Sequence, residues 1–403
     1  MLLSESASAM MRSLHPAPVY CTDHRLCNSL GSDREQVLNR LALGQTGLLA
    51  PSFPLPFGTY VGELATELGP LPLPFTRYES RLARLGHALA TELKASTDAA
   101  IRRWGRRRVA LVLATSTGGL LETESSHLGL AAGRPLPPGY RLLRTHGLGA
   151  TAELLQQVLG TEGPAFVIST ACSSSAKALA SGQRLIQSGV ADAVIAGGLD
   201  TLCQTTLFGF QALGILSTER CKPFAGARDG INIGEGGALI LLEREADSEI
   251  ALLGCGESSD AYHLSAPDPE GHGAERAMRQ ALEQADVSPH EVGYVNAHGT
   301  GTLQNDAAEA LALARVFGMG PSVVSTKSYT GHLLGAAGAT EAAFCIAALE
   351  RGEIPANLGA DPEDFLGIRL GRETLQSDFR YALSNSFAFG GSNVSLLFGK
   401  VAP

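Results

Sequence analysis

The chain has 403 residues, 47 of them glycine, with 40 acidic against 31 basic side chains and 7 cysteines. A net charge of −9 excludes nucleic acid as the main partner, because phosphate backbones are bound by basic faces. No apolar run reaches the ~18 residues that a membrane span requires. Glycine stands at ~12% against a usual ~7%, without a G-X-Y period or a Gly/Ser tract. That excess reads as tight turns and close backbone approaches in a globular chain. The odd cysteine count and the lack of any C-x-x-C argue against a disulfide framework and against a thiolate metal site. Reduced thiols in the cytoplasm are the expectation. The start, with Glu5 early and no basic stretch, is not read as a signal peptide but as a tail to about Pro16.

In chain order, the basic run Arg102-Arg103-Trp104-Gly105-Arg106-Arg107-Arg108 precedes an apolar strand, Val109–Ala114. It reads as a solvated strand entrance, with a docking patch for an acidic protein as the alternative. A strand over Ala165–Thr170 runs into a helix over Ser174–Gln187 that Ser188-Gly189 ends. Strands follow over Ala193–Gly197 and Ala238–Leu242, then a polar break at Glu243–Asp247. Beyond it come a helix over Gly273–Ala285, strands over Gly293–Ala297 and Ser322–Thr326, an Ala-rich helix over Leu333–Glu350 stopped by Gly352, and a strand over Val394–Phe398. This alternation predicts an α/β layered fold with parallel strands.

Four segments carry residues suited to chemistry. In Ser169-Thr170-Ala171-Cys172-Ser173-Ser174, a buried strand delivers a cysteine to the start of an amphipathic helix. Unpaired helix N–H groups and the positive dipole end lower a thiol pKa there, although most free cysteines are simply structural. In Asn296-Ala297-His298-Gly299-Thr300-Gly301-Thr302, a histidine and two hydroxyls follow a strand end, with glycines that admit a close ligand. In Lys327-Ser328-Tyr329-Thr330-Gly331-His332, a second histidine opens the Ala-rich helix, whose dipole, with Lys327, disfavours imidazolium. Gly335 and Gly338 give that helix a smooth face, and Glu341 can partner Lys327, a surface ion pair being the plainer alternative. In Asn385-Ser386-Phe387-Ala388-Phe389-Gly390-Gly391-Ser392-Asn393, two aromatics beside a glycine pair suggest a mobile loop over a pocket, or else a hairpin turn. A thiolate can hold an acyl group covalently while two neutral imidazoles stabilise an enolate oxygen. A cysteine hydrolase would need only one histidine and would leave Lys327 unexplained.

With these four motifs in this order, the chain resembles the β-ketoacyl-[acyl-carrier-protein] synthases, the type I/II branch of the thiolase superfamily. The resemblance extends to Leu111–Gly119, Lys222-Pro223-Phe224, Arg228-Asp229-Gly230, Gly234-Glu235-Gly236-Gly237 and Asp260-Ala261-Tyr262-His263. It implies a thiolase-like fold of two similar α/β halves in a layered αβαβα arrangement. Residues 1–250 would carry the nucleophile, and 251–403 the two histidines and the gating loop. It implies that Cys172 accepts the acyl group and that His298 and His332 promote malonyl decarboxylation. Lys327 and Glu341 would be the family's buttressing pair. The N–H groups of Cys172 and Phe389 would form an oxyanion hole, with Phe389 gating the acyl chain. Thr300 and Thr302 would hold the phosphopantetheine arm, and Asp306, Glu309, Thr117, Phe387 and Gly390 would complete the substrate site, Thr117 setting pocket depth.

The implied reaction is a decarboxylative Claisen condensation that lengthens a fatty acyl, polyene or polyketide chain by two carbons. It would need no cofactor or metal beyond the substrates' phosphopantetheine arm. The implied partners are acyl carrier protein and a second subunit, in a homodimer or in a heterodimer with a sister chain. A non-condensing partner of the chain-length-factor kind is the alternative, and the intact Cys-His-His set speaks against it. Departures from the family pattern are the segment Val19–Cys27 in place of a glycine-containing opening strand, Ala388 for a glycine, and Ser392 for a frequent threonine.

Overall fold

Runs of valine, leucine, isoleucine and alanine with both faces covered build the centre of the computed structural model, which describes residues 17–360 and 367–401. The segment read as an N-terminal tail lies outside the described residues. The first five long strands are β1 (Val19–Cys27), β2 (Val109–Ala114), β3 (Ala165–Ile168), β4 (Ala193–Asp200) and β5 (Gly236–Glu243). They lie in the order β1-β5-β4-β2-β3, antiparallel at β1–β5 and β5–β4 and parallel at β4–β2 and β2–β3. The next five are β6 (Ile250–Ser259), β7 (Val292–Asn296), β8 (Ser322–Val324), β9 (Tyr381–Ala388) and β10 (Ser392–Lys400). They repeat the same order and directions as β6-β10-β9-β7-β8.

The two sets join through β1 and β6, where Val19 faces Leu252 and Tyr20 faces Ala251. Arg369–Leu370 adds to β8, giving an 11-stranded sheet. The sheet is therefore mixed rather than parallel throughout. Between β9 and β10 the link is a turn of three residues, which permits only antiparallel pairing.

Helices α1 (Arg81–Trp104) and α2 (Leu148–Leu159) cover the outer face of the first set through Leu82, Leu85, Leu89, Leu154 and Leu155. Three further helices are α3 (Ser174–Gln187), α4 (His272–Ala285) and α5 (Leu303–Phe317). Met278, Ala281, Leu313 and Val316 of α4 and α5 cover the outer face of the second set. Between the two strand sets, α3 packs on α6 (Ala337–Arg351), giving five αβαβα layers. Helix α6 is buried at every position from Ala337 to Leu349, as a helix flanked on all sides must be. Its alanines and Gly338 keep it thin. A Cβ on Gly338 would stand 2.7 Å from the Ala176 backbone N of α3.

Two local expectations change, and a third is met. Helix α6 starts at Ala337, not at Leu333, because Leu334 takes φ +52° and residues 334–336 form a 3-10 turn. The segment Asn385–Asn393 is a hairpin, with Phe387 and Ala388 inside β9. The basic run closes α1 and enters β2, which makes it a strand entrance. Trp104 lies between Arg103 and Arg244, with guanidinium carbons 4.4 and 4.8 Å from its ring. Arg108 pairs with Asp192 at 2.6 Å, and Arg107 with Glu162 at 3.7 Å. The six residues of β2, ~20 Å at ~3.3 Å each, separate this end from the Cys172 end. That distance sets the run well away from Cys172. Among the described residues, no helix is long and apolar enough to cross a membrane.

Candidate active site

Beyond β3 the chain must turn sharply to enter α3, and Ala171 absorbs the turn at φ +51°. A non-glycine residue there costs about 1–3 kcal/mol, so the turn persists only where neighbours hold it. Ala171 O accepts from Ser174 Oγ at 2.6 Å and from Ser116 Oγ at 3.3 Å, and Ser174 Oγ accepts from Thr170 N at 2.8 Å. This elbow sets Cys172, itself buried, at the head of α3.

The thiol differs from the sequence expectation. Burial pushes the Cys172 thiol up to about 11, and it outweighs the Lys327 charge and the N–H groups of Phe389 and Cys172, all of which pull the other way. Desolvation wins over helix-end stabilisation at this depth. The N–H groups of Phe389 and Cys172 thus lie beside Sγ.

His298 follows β7. Glu309 accepts the backbone N–H groups of His298 (2.8 Å) and Gly299 (2.7 Å), and Asp306 accepts that of Gly301 (3.1 Å). Gly299, at φ +37°, leaves no room for a side chain, since a Cβ would stand 2.5 Å from Ser325 Cβ. The hydroxyls of Thr300 and Thr302 are 2.9 Å apart.

His332 precedes a 3-10 turn that leads into α6, rather than opening the helix itself. Burial, and after it the Lys327 charge, holds both His298 and His332 well below the ordinary histidine range. The Leu334 N–H donates to His332 Nδ1 at 3.0 Å, which puts the ring proton on Nε2. The two rings stand edge to face, centroids 5.4 Å apart, and with Cys172 they offer three ligand atoms within 4.8 Å of one another. That grouping has the composition of a metal site, but the proton on His332 Nε2 blocks the nitrogen a metal would need.

Lys327 and Glu341 form a buried ion pair, not a surface one. Burial raises the Glu341 carboxyl to about 7 against the pull of Lys327. On the opposite wall, Phe387 packs 6.1 Å from His298, and Phe389 in the hairpin turn lies 6.1 Å from Phe210. Ser392 Oγ accepts from Ser173 Oγ at 3.1 Å, tying the hairpin to the elbow.

A cavity of about 340 Å³ opens beside these groups. Cys172, His298, His332, Thr300, Thr302 and Phe389 are on its wall, and exposed Leu213 and Leu303 rim it. Phe387 also lines it. Other expected substrate contacts are not on that wall. Asp306 and Glu309 are fully buried behind the histidine loop and brace its backbone. Thr117 donates to Asp200 at 2.7 Å, and Gly390 donates its N–H to Leu264 O at 2.8 Å from the hairpin turn.

Sequence reasoning missed Phe210 and, more importantly, Asp200. The latter is a carboxylate ending an apolar strand, and the only clue is the acid closing Ala196-Gly197-Gly198-Leu199-Asp200.

Cys172 is the one cysteine on the cavity wall, so a small thiol alkylator is expected to label it before the other six. With the thiol near 11, the rate should rise about tenfold per pH unit from 7 to 10. Peptide mass mapping over a pH series reads this, and a plateau below pH 8 would show that helix and lysine outweigh burial.

A twofold-repeated five-layer α/β body with a cysteine and two histidines at one sheet edge defines the thiolase-like fold class. Two family models match the chain. That of the β-ketoacyl synthase N-terminal domain covers residues 83–248, and that of the C-terminal domain covers residues 250–361. The chain belongs to the β-ketoacyl synthase family.

It is 38% identical over 261 residues to 3-oxoacyl-[acyl-carrier-protein] synthase 2 of Staphylococcus aureus (strain COL), covering 60% of this chain and 63% of that one. The chain thus spans somewhat less than two thirds of that relative. To the enzyme of the same name from Vibrio harveyi it is 36% identical over 315 residues, 73% of this chain and 76% of that one. Among solved structures, a chain of the ketosynthase in complex with its chain length factor from Xenorhabdus doucetiae superimposes with a TM-score of 0.90 at 40% identity, covering 96% of this chain and 99% of that chain.

Proposed function

We propose that the chain is a condensing 3-oxoacyl-[acyl-carrier-protein] synthase. One observation carries this: Cys172 and two neutral imidazoles meet within 4.8 Å on the wall of one cavity. Cys172 Sγ attacks the thioester carbonyl of an acyl phosphopantetheine arm. The N–H groups of Cys172 and Phe389 take the oxyanion, and the arm leaves as its thiol, carrying away the proton that Cys172 gives up. With its proton already on Nε2, His332 can only donate, so His298 is the ring that relays that proton. A malonyl arm then replaces the first. Its carboxylate departs as carbon dioxide, and the electron pair passes into an enolate whose oxygen accepts from His332 Nε2–H. The enolate carbon attacks the acyl-cysteine carbonyl, and the Cys172 thiolate leaves and takes a proton from solvent, replacing the one that departed on the first arm. The chain grows by two carbons, with no resident cofactor or metal. Thr300 and Thr302 hold the arm, and Phe389 gates the acyl chain.

We assign acyl carrier protein as the substrate carrier and a ketosynthase-like second subunit as partner. Strand β3 is a sheet edge with Phe166 exposed, the kind of edge that another chain can extend. Seven free thiols suit the cytoplasm. The non-condensing alternative has no use for an intact Cys172–His298–His332 set. The test supplies acyl and malonyl carrier proteins, with and without a sister subunit, and looks for 3-oxoacyl product by mass. Product is expected. Its absence across several acyl lengths in both formats would overturn the proposal.

A further inference from the structure

The two arms of the site come from distant segments: the Cys172 elbow precedes α3, and the His332 turn precedes α6. One buried side chain touches the supports of both. Asp200, at the end of β4, is fully buried. Its Oδ1 accepts from Thr115 Oγ1 (2.6 Å), Thr117 Oγ1 (2.7 Å) and Thr117 N (3.0 Å), and its Oδ2 accepts from Ser116 N (2.9 Å) and Gly335 N (2.7 Å).

On one side, Ser116 is the residue whose hydroxyl holds the carbonyl of the left-handed Ala171, one residue before the nucleophile. On the other side, Gly335 N–H is the next donor after Leu334 N–H, and it is Leu334 that fixes the His332 tautomer. The turn is strained, with Leu334 at φ +52°, so it needs an anchor to persist. The contact is also tight: a Cβ on Gly335 would stand 2.8 Å from Asp200 Oδ2 and 2.7 Å from Ser116 Oγ.

We propose that Asp200 is a positioning residue that holds the nucleophile elbow and the His332 tautomer in register with each other. It never faces the cavity and acts only through Ser116 and the Leu334–Gly335 turn. Five donors converge on it, and only a carboxylate accepts from all of them. The role rests on the proposed function for its catalytic consequence, but its structural consequence is read separately.

The experiment is Asp200→Asn, which keeps the size and turns one acceptor into a donor facing donors. In histidine-¹⁵N-labelled protein, the wild-type His332 ring is expected as a single neutral Nε2–H tautomer, and in Asp200→Asn as a mixture. In a Cys172→Gln background, malonyl decarboxylation should fall about 10- to 100-fold in kcat, with KM within about threefold, as for a displacement of supporting groups near 1 Å. If Asp200→Asn does not fold, Gly335→Ala keeps the carboxylate but forces the same contact apart, and the same two changes are expected. A single unchanged tautomer with decarboxylation within twofold of the parent, in a folded variant of either kind, would overturn the role. If the parent protein itself decarboxylates nothing, the ketosynthase proposal fails, and the tautomer still decides on Asp200.

Discussion

Cys172→Gln is expected to lower condensation by at least about 10³-fold while malonyl decarboxylation continues. Removing a covalent nucleophile in a preorganised site typically has an effect of that size or larger. The glutamine carbonyl can accept from the N–H groups of Cys172 and Phe389 that otherwise face Sγ, so it occupies the place of an acyl-thioester oxygen. Decarboxylation, by contrast, draws on His298 and His332, which are held by Glu309 and by the Leu334 N–H and not by the sulfur. Carbon dioxide release from malonyl carrier protein and 3-oxoacyl formation are measured on the same preparation. Loss of both in folded protein would show that the histidine roles are misassigned. Persistent condensation would remove Cys172 as the nucleophile.

The second large effect concerns stability. Lys327→Met leaves Glu341 buried with no cation, its second carboxylate oxygen already lacking a hydrogen-bond partner. Breaking one side of a buried pair costs about 3–5 kcal/mol, whereas replacing both sides with apolar groups is often neutral. At ~2.1 cal/mol/K per residue, that corresponds to a Tm lower by roughly 4–6 °C for a chain of this length. Lys327→Met with Glu341→Leu should recover most of the loss.

The pH sign follows from Glu341. Without Lys327 its folded pKa moves further above the ordinary carboxyl value, so the folded state binds a proton that the unfolded chain has released. Stability from this group then falls as pH rises from near 4.5 through the folded value, and the gap to wild type should widen between pH 6 and pH 9. Scanning calorimetry at both pH values checks this. A double variant no better than the single would remove the buried pair as the cause.

Cys172 and His298 were legible because each stands just past an apolar strand beside glycine or small hydroxyl residues, and His332 because it opens the glycine- and alanine-rich stretch that leads into α6. Asp200 was not, because its partners Thr115 and Gly335 are 85 and 135 residues away in the chain. Asp306 and Glu309 were misjudged for a related reason, since nothing in the letters tells an acid facing substrate from one facing a backbone amide. Strand β6 escaped notice because Gly254 and Gly256 weaken its apolar pattern. Those glycines are there because a Cβ on either would run into the carbonyl oxygens of Ala281 and Ala277 in α4. Helix-end reasoning overestimated the acidity of Cys172 because the depth of burial is a tertiary property.

The thin middle layer has a consequence for how far this site can vary. Cys172 lies just ahead of the helix that touches Gly338, and His332 just ahead of the helix that contains it, so the gap between thiol and imidazole is gauged where those two backbones meet. One methyl group at position 338 would act as a shim between them. The rim and hairpin are free of that constraint, but the calibre of the centre is written in an atom that is absent.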